Sequence, residues 1–142
     1  GTGFAPFASI LRDPETYETF EAVIAVEGCR QVAELEFAST VVDGVRRHEY
    51  LGDLAGGKLH YYAAATREPF HHKGRIPGLI ASHKMTEDLG MAPFGTEDER
   101  VMMCGNPHML AEMKALLENR GFVEGSNSEP GTYVVEKAFV EK

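Results

Sequence analysis

The chain has 142 residues, 43% of them hydrophobic and 25% charged, with 14 Lys and Arg against 22 Asp and Glu and a formal net charge of −8. That length suits one domain able to bury a real core, and the apolar fraction excludes a disordered chain. The acidic balance argues against a general nucleic-acid binder, no apolar run approaches the ~20 residues of a membrane helix, and Cys29 and Cys104 make no disulfide framework. The opening, Gly1-Thr2-Gly3-Phe4-Ala5-Pro6, has no initiator Met and no secretory pattern. It reads as a fragment or processed chain, and a reducing, cytoplasmic setting is the expectation.

In chain order, Phe4, Phe7, Ile10 and Leu11 recur at helical spacing, and Asp13-Pro14 is expected to end that helix. Ala22–Val26 is a continuous apolar run closed by Gly28, the pattern of a strand buried on both faces. Val32, Leu35 and Phe37-Ala38 set a helix from near Gln31 to Val45. Gly56-Gly57 breaks the pattern, Leu59–Ala65 is a second strand, and a loop leads to a helix over Ile76–Asp88. Val101–Cys104 is a third strand, stopped by Gly105-Asn106-Pro107. Met109, Leu110, Met113, Leu116 and Leu117 then mark a helix that Gly121 terminates. Tyr133–Lys137 is the last strand. Strands alternating with helices predict an α/β fold, a parallel sheet with helices on both faces, whose ligands bind outside the carboxyl ends of the strands.

The residues able to carry chemistry fall at such ends. Gly1-Thr2-Gly3 before a helix is either a turn that lets backbone N–H groups approach a phosphate or a plain tight turn. The segment from Thr66 to Arg75 puts Arg67, Lys73 and Arg75 directly after the second strand, either as an anion site or as a solvated charged face. Arg30, after the first strand, is either a third phosphate ligand or a helix-start arginine paired with Glu34. Cys104-Gly105 ends the third strand; no His/Asp set completes a nucleophilic triad, and the adjacent His71 and His72 suit no single metal ion. Phe139, near the end of the chain, should fray into water unless it covers something.

Five segments in order resemble the C-terminal NADP-binding half of a bacterial-type ferredoxin (flavodoxin)–NADP reductase. They are the GTGxAP opening, Val26 to Leu35 (Val-x-Gly-x-Arg-x-x-x-Glu-Leu), Thr66 to Phe70 followed by Gly74-Arg75, Met103 to Pro107, and the Ala138-Phe139-Val140-Glu141-Lys142 tail with Lys137 and Glu136 before it. The resemblance implies a Rossmann-like domain over residues 1–137 and a tail, 138–142, lying on an FAD site. It implies electron transfer between NADPH and ferredoxin or flavodoxin, by hydride transfer between nicotinamide and FAD. Gly1, Thr2 and Gly3 would face the pyrophosphate; Arg30, Thr66, Arg67 and Arg75 would hold the 2′-phosphate; Cys104, with Gly105, would lie beside the nicotinamide. Glu136 would be a carboxylate near the flavin edge, and Ala138 and Phe139 would meet the flavin. The family's FAD barrel domain and the strand leading into Gly1 are absent from this chain. That strand belongs between the first and third strands here, so another segment is expected to fill the position. Two other readings remain: the reductase module of a related oxygenase system, and a non-catalytic NADP-binding fragment.

Overall fold

The computed structural model describes residues 4–70, 72–92, 99–105, 107–125 and 130–135. Two compact units divide the chain, Gly1–Ile76 and Pro77–Lys142.

The first unit opens with α1 (Ala5–Leu11), with a proline in its first turn, where the missing N–H costs nothing. The Asp13-Pro14 pair ends this helix and also starts a second, unforeseen one, α2 (Pro14–Thr19). The Asp13 carboxylate accepts the Glu15 N–H at 3.0 Å. Tyr17 is 1% exposed and donates its hydroxyl to the Leu11 carbonyl at 2.6 Å, folding α2 back on α1. Strand β1 (Val23–Cys29) runs past Gly28 rather than stopping before it. A Cβ on Gly28 would lie 2.8 Å from Ile76 Cγ1, so glycine serves a close approach there, not a strand end. A 3-10 turn (Val32–Leu35) leads into α3 (Glu36–Arg47), which buries Ala38, Val41, Val42 and Val45, one helical stripe. A short α4 (Leu51–Ala55) precedes β2 (Leu59–Ala65). The strands are parallel, in register from Val23↔Leu59 to Cys29↔Ala65. The α3 stripe packs with Ala25, Leu51, Leu59 and the α1 residues Ala8 and Leu11 in one core.

The helix expected over Ile76–Asp88 is two, α5 (Ile76–Ala81) and α6 (Lys84–Asp88), separated by His83 at φ 64°. In the second unit, β3 (Val101–Met103) pairs in parallel with β4 (Tyr133–Val135), and α7 (Pro107–Asn119) connects them. Gly121 at φ 93° follows α7, as a left-handed terminator should. Buried Tyr133 donates its hydroxyl to Glu118 Oε2 at 2.6 Å, tying β4 to α7. The described strands form two two-stranded parallel sheets, β1–β2 and β3–β4. No described helix is long and apolar enough to cross a membrane.

Candidate functional site

The ladder between β1 and β2 continues beyond both strands. Thr66 N–H donates to the Cys29 carbonyl at 3.0 Å and Arg67 N–H to the Arg30 carbonyl at 2.9 Å. Continued register would set Arg30 opposite Thr66; the bond from Arg67 N–H brings the Arg67 backbone against Arg30, with the Thr66 hydroxyl donating to Cys29 O at 3.4 Å. Both arginines are exposed, and neither guanidinium forms an ion pair among the described residues. Two neighbouring like charges at a strand end repel each other and gain by sharing an anion.

Two carboxylates stand close by, and both are committed to main chain. Glu34 Oε2 accepts from Arg30 N–H at 3.0 Å and Gln31 N–H at 2.8 Å, closing a capping box. The Gln31 bond, with help from Arg30, holds the Glu34 carboxyl below its ordinary range. Arg30 and Glu34 are thus joined through the arginine's backbone rather than as the side-chain pair suggested by their spacing. Glu68 accepts the Val32 N–H from across the site. The amides of residues 30–32 are spoken for by the protein, which leaves anion recognition to side chains.

The loop after β2 returns to its own starting point. His72 O accepts from Ala65 N–H at 3.2 Å, Gly74 N–H donates to Ala65 O at 3.3 Å, and Lys73 bridges to Ala65. Gly74 sits at φ 132°, open in practice only to glycine. The His72 ring stacks on buried Tyr62, centroids 4.1 Å apart and planes 20° apart. With Ile76 against Gly28, these ties carry Arg75 back to the strand end where Arg30 and Arg67 stand. Beside the loop opens a cleft of 370 Å³, lined by Val32, Leu35, Glu36, Tyr61, Ala63 and Phe70 among others.

Cys29 donates its thiol to Ala64 O at 3.5 Å, and burial raises its pKa, so it is a structural thiol. Cys104 belongs to the second unit, half-buried just past β3. Gly105 follows it, exposed, with Met109 Cε 2.5 Å from where a Cβ would stand. Gly1, Thr2, Gly3, His71, Glu136, Ala138 and Phe139 lie outside the described residues. No group of His, Cys, Asp or Glu among the described residues is arranged for a metal. Sequence reasoning gave Glu68 no role, and His72 only an added charge when protonated. Glu68 reaches a partner 36 positions away, and no local pattern announces such a contact.

Parallel strands joined through helices, with Arg30 and Arg67 past the carboxyl ends of β1 and β2, define a Rossmann-like α/β fold. The chain is 50% identical over 140 residues to the flavodoxin/ferredoxin–NADP reductase of Rhodobacter capsulatus, covering 99% of this chain and 52% of that protein. It is 48% identical over 143 residues to the ferredoxin–NADP reductase of Pseudomonas aeruginosa, covering 100% of this chain and 55% of the relative. A crystal structure of a ferredoxin NADP+ reductase from Neisseria gonorrhoeae with bound FAD and NADP superposes with a TM-score of 0.78 at 27% identity, over 96% of this chain and 52% of the other. No protein-family model matches. The chain is homologous along its whole length to about half of a flavodoxin/ferredoxin–NADP reductase, and it fits the C-terminal, NADP-binding portion of that enzyme type.

Proposed function

We propose that this chain is the NADP-binding part of an oxidoreductase that moves electrons between NADPH and ferredoxin or flavodoxin. One observation within the chain carries the reading: past the ends of β1 and β2 the backbones of Arg30 and Arg67 are hydrogen-bonded to each other, and neither side chain has an ion-pair partner among the described residues. That arrangement fits a phosphate with close to two negative charges. Residues 1–137 form the NADP-binding domain, and the tail 138–142 lies against FAD. Arg30, Thr66, Arg67 and Arg75 bind the 2′-phosphate, Gly1-Thr2-Gly3 faces the pyrophosphate, and Cys104 with Gly105 orients the nicotinamide. Glu136, Ala138 and Phe139 serve the flavin side. FAD, when bound, supplies the exchange between two-electron and one-electron chemistry. The names of the relatives support ferredoxin or flavodoxin as the electron carrier.

The test uses the flavin-loaded enzyme containing this chain. NADPH should bleach its flavin, and cytochrome c should be reduced only when ferredoxin or flavodoxin is supplied. Replacing Arg67 and Arg75 by Gln should weaken NADPH by roughly 1–3 kcal/mol per lost contact and leave NADH nearly unchanged. Equal losses for both coenzymes would remove the 2′-phosphate assignment.

A further inference from the structure

An acidic residue inside a phosphate site looks misplaced, and Glu68 is directly next to Arg67. Its carboxylate instead takes the N–H of Val32, the first residue of the 3-10 turn and two positions from Arg30. The bond closes a ring. From Arg67 the chain runs to Glu68, across to Val32, back along the backbone to Arg30, and over the ladder bond from Arg67 N–H to Arg30 O at 2.9 Å. A closed ring of this size has little freedom, so the backbones carrying the two guanidinium groups are fixed before any ligand arrives. Glu34, by contrast, binds residues 30 and 31 within its own turn and leaves β2 untouched.

We infer that Glu68 is a positioning residue for coenzyme choice: by capping Val32 it holds the Arg67 backbone against that of Arg30, so that both side chains meet one phosphate group. The inference rests on the 2′-phosphate reading above. Preorganisation of this kind improves binding by removing the ordering cost that a loose loop would meet on association. It also explains why a carboxylate is tolerated there. Committed as an acceptor to main chain, it spares the arginines an ion pair that would have to break when the ligand binds.

The hydrogen bond can be deleted from either side. Glu68→Ala removes the acceptor. Val32→Pro removes the donor at a first helical position, where proline is accommodated, and Gln31 at φ −118° and ψ 140° already has the extended conformation that precedes proline. Calorimetric binding of NADP+ and NAD+ to the flavin-loaded enzyme reads the result, with Arg67→Gln as the reference. Each deletion should weaken NADP+ about tenfold with NAD+ changed less than twofold. The double variant should lose no more than either single one, and Glu68→Gln, which keeps an acceptor, should stay within twofold of the parent. Tighter NADP+ binding in Glu68→Ala, additive losses in the double variant, or equal losses for both coenzymes would overturn the inference. So would full NADP+ affinity in Glu68→Ala while Arg67→Gln loses it, an outcome that leaves the phosphate reading standing. Unchanged NADP+ binding in Arg67→Gln would remove that reading itself. If Glu68→Ala does not fold, Val32→Pro and Glu68→Gln carry the test.

Discussion

Glu27 takes a carboxyl group into the interior of the first unit, 8% exposed on β1, two pairs beyond that of Ala25 and Tyr61. The Tyr61 hydroxyl is also buried and has no hydrogen-bond partner among the described residues. Burial raises the pKa of both, and the Glu27 charge adds to the shift on Tyr61. A carboxyl whose folded-state pKa is raised favours the folded chain most when protonated. Its contribution is complete below the ordinary carboxylate range and is lost as the pH rises through the raised value. Glu27→Gln should therefore stabilise the protein at pH 8 by on the order of 1 kcal/mol and change little at pH 4. Thermal melts of both forms across that range decide it, and a parallel offset at every pH would contradict the ionisation account. Glu34 has the opposite sign. Its lowered pKa means the capping box is intact above the ordinary carboxylate range and weakens as the pH falls through the depressed value.

At the scale of elements, α1, β1, β2 and α7 were legible because each has a long apolar period or a clean run of small and β-branched residues. The short helices were not. α4 has five residues and no side-chain cap on Tyr50; it begins because His48 Nδ1 accepts from Tyr50 N–H and Leu51 N–H, both at 3.1 Å. Histidine is not among the usual capping residues, so the signal was invisible to pattern reading. His48→Ala should cost about 1 kcal/mol, while His48→Asn, whose side-chain oxygen can accept the same bonds, should cost less than half of that. Urea unfolding of the two variants separates capping from packing: equal losses would mean that the imidazole ring, not its acceptor, matters. The break at His83 was hidden for another reason. A positive φ on a non-glycine residue has no local sequence signature, and the end of α5 just before it is held by Arg120, whose guanidinium donates to the Ile80 carbonyl at 3.0 Å, 40 positions away.

Over the whole molecule, the net charge conceals a local one. A chain of net charge −8 concentrates Arg30, Arg67, Lys73 and Arg75 on one strand end. Arg30, Arg67 and Arg75 stand out in the sequence because they follow apolar runs; the Glu68 contact does not, because it reaches main chain 36 positions away. Salt should report the local field rather than the total. Raising ionic strength from about 0.05 to 0.5 M should weaken NADP+ binding several-fold and NAD+ binding much less, since screening shortens the reach of exposed charges. A stronger salt effect on NAD+ would show that the distant acidic surface dominates instead.

Under the proposed function, the length of β2 sets which side chain stands against Arg30. Cys29 and Ala65 are the last opposed pair, and two residues past Ala65 the Arg67 N–H donates to the Arg30 carbonyl. Side chains alternate faces with every residue, so a single deletion in β2 would place the next residue, Glu68, at Arg67's position and present a carboxylate where a cation belongs. Length is thus under tighter constraint than identity along this strand. Its alanines can be exchanged for other small residues, but none can be removed without reversing the sign of the charge offered to the ligand.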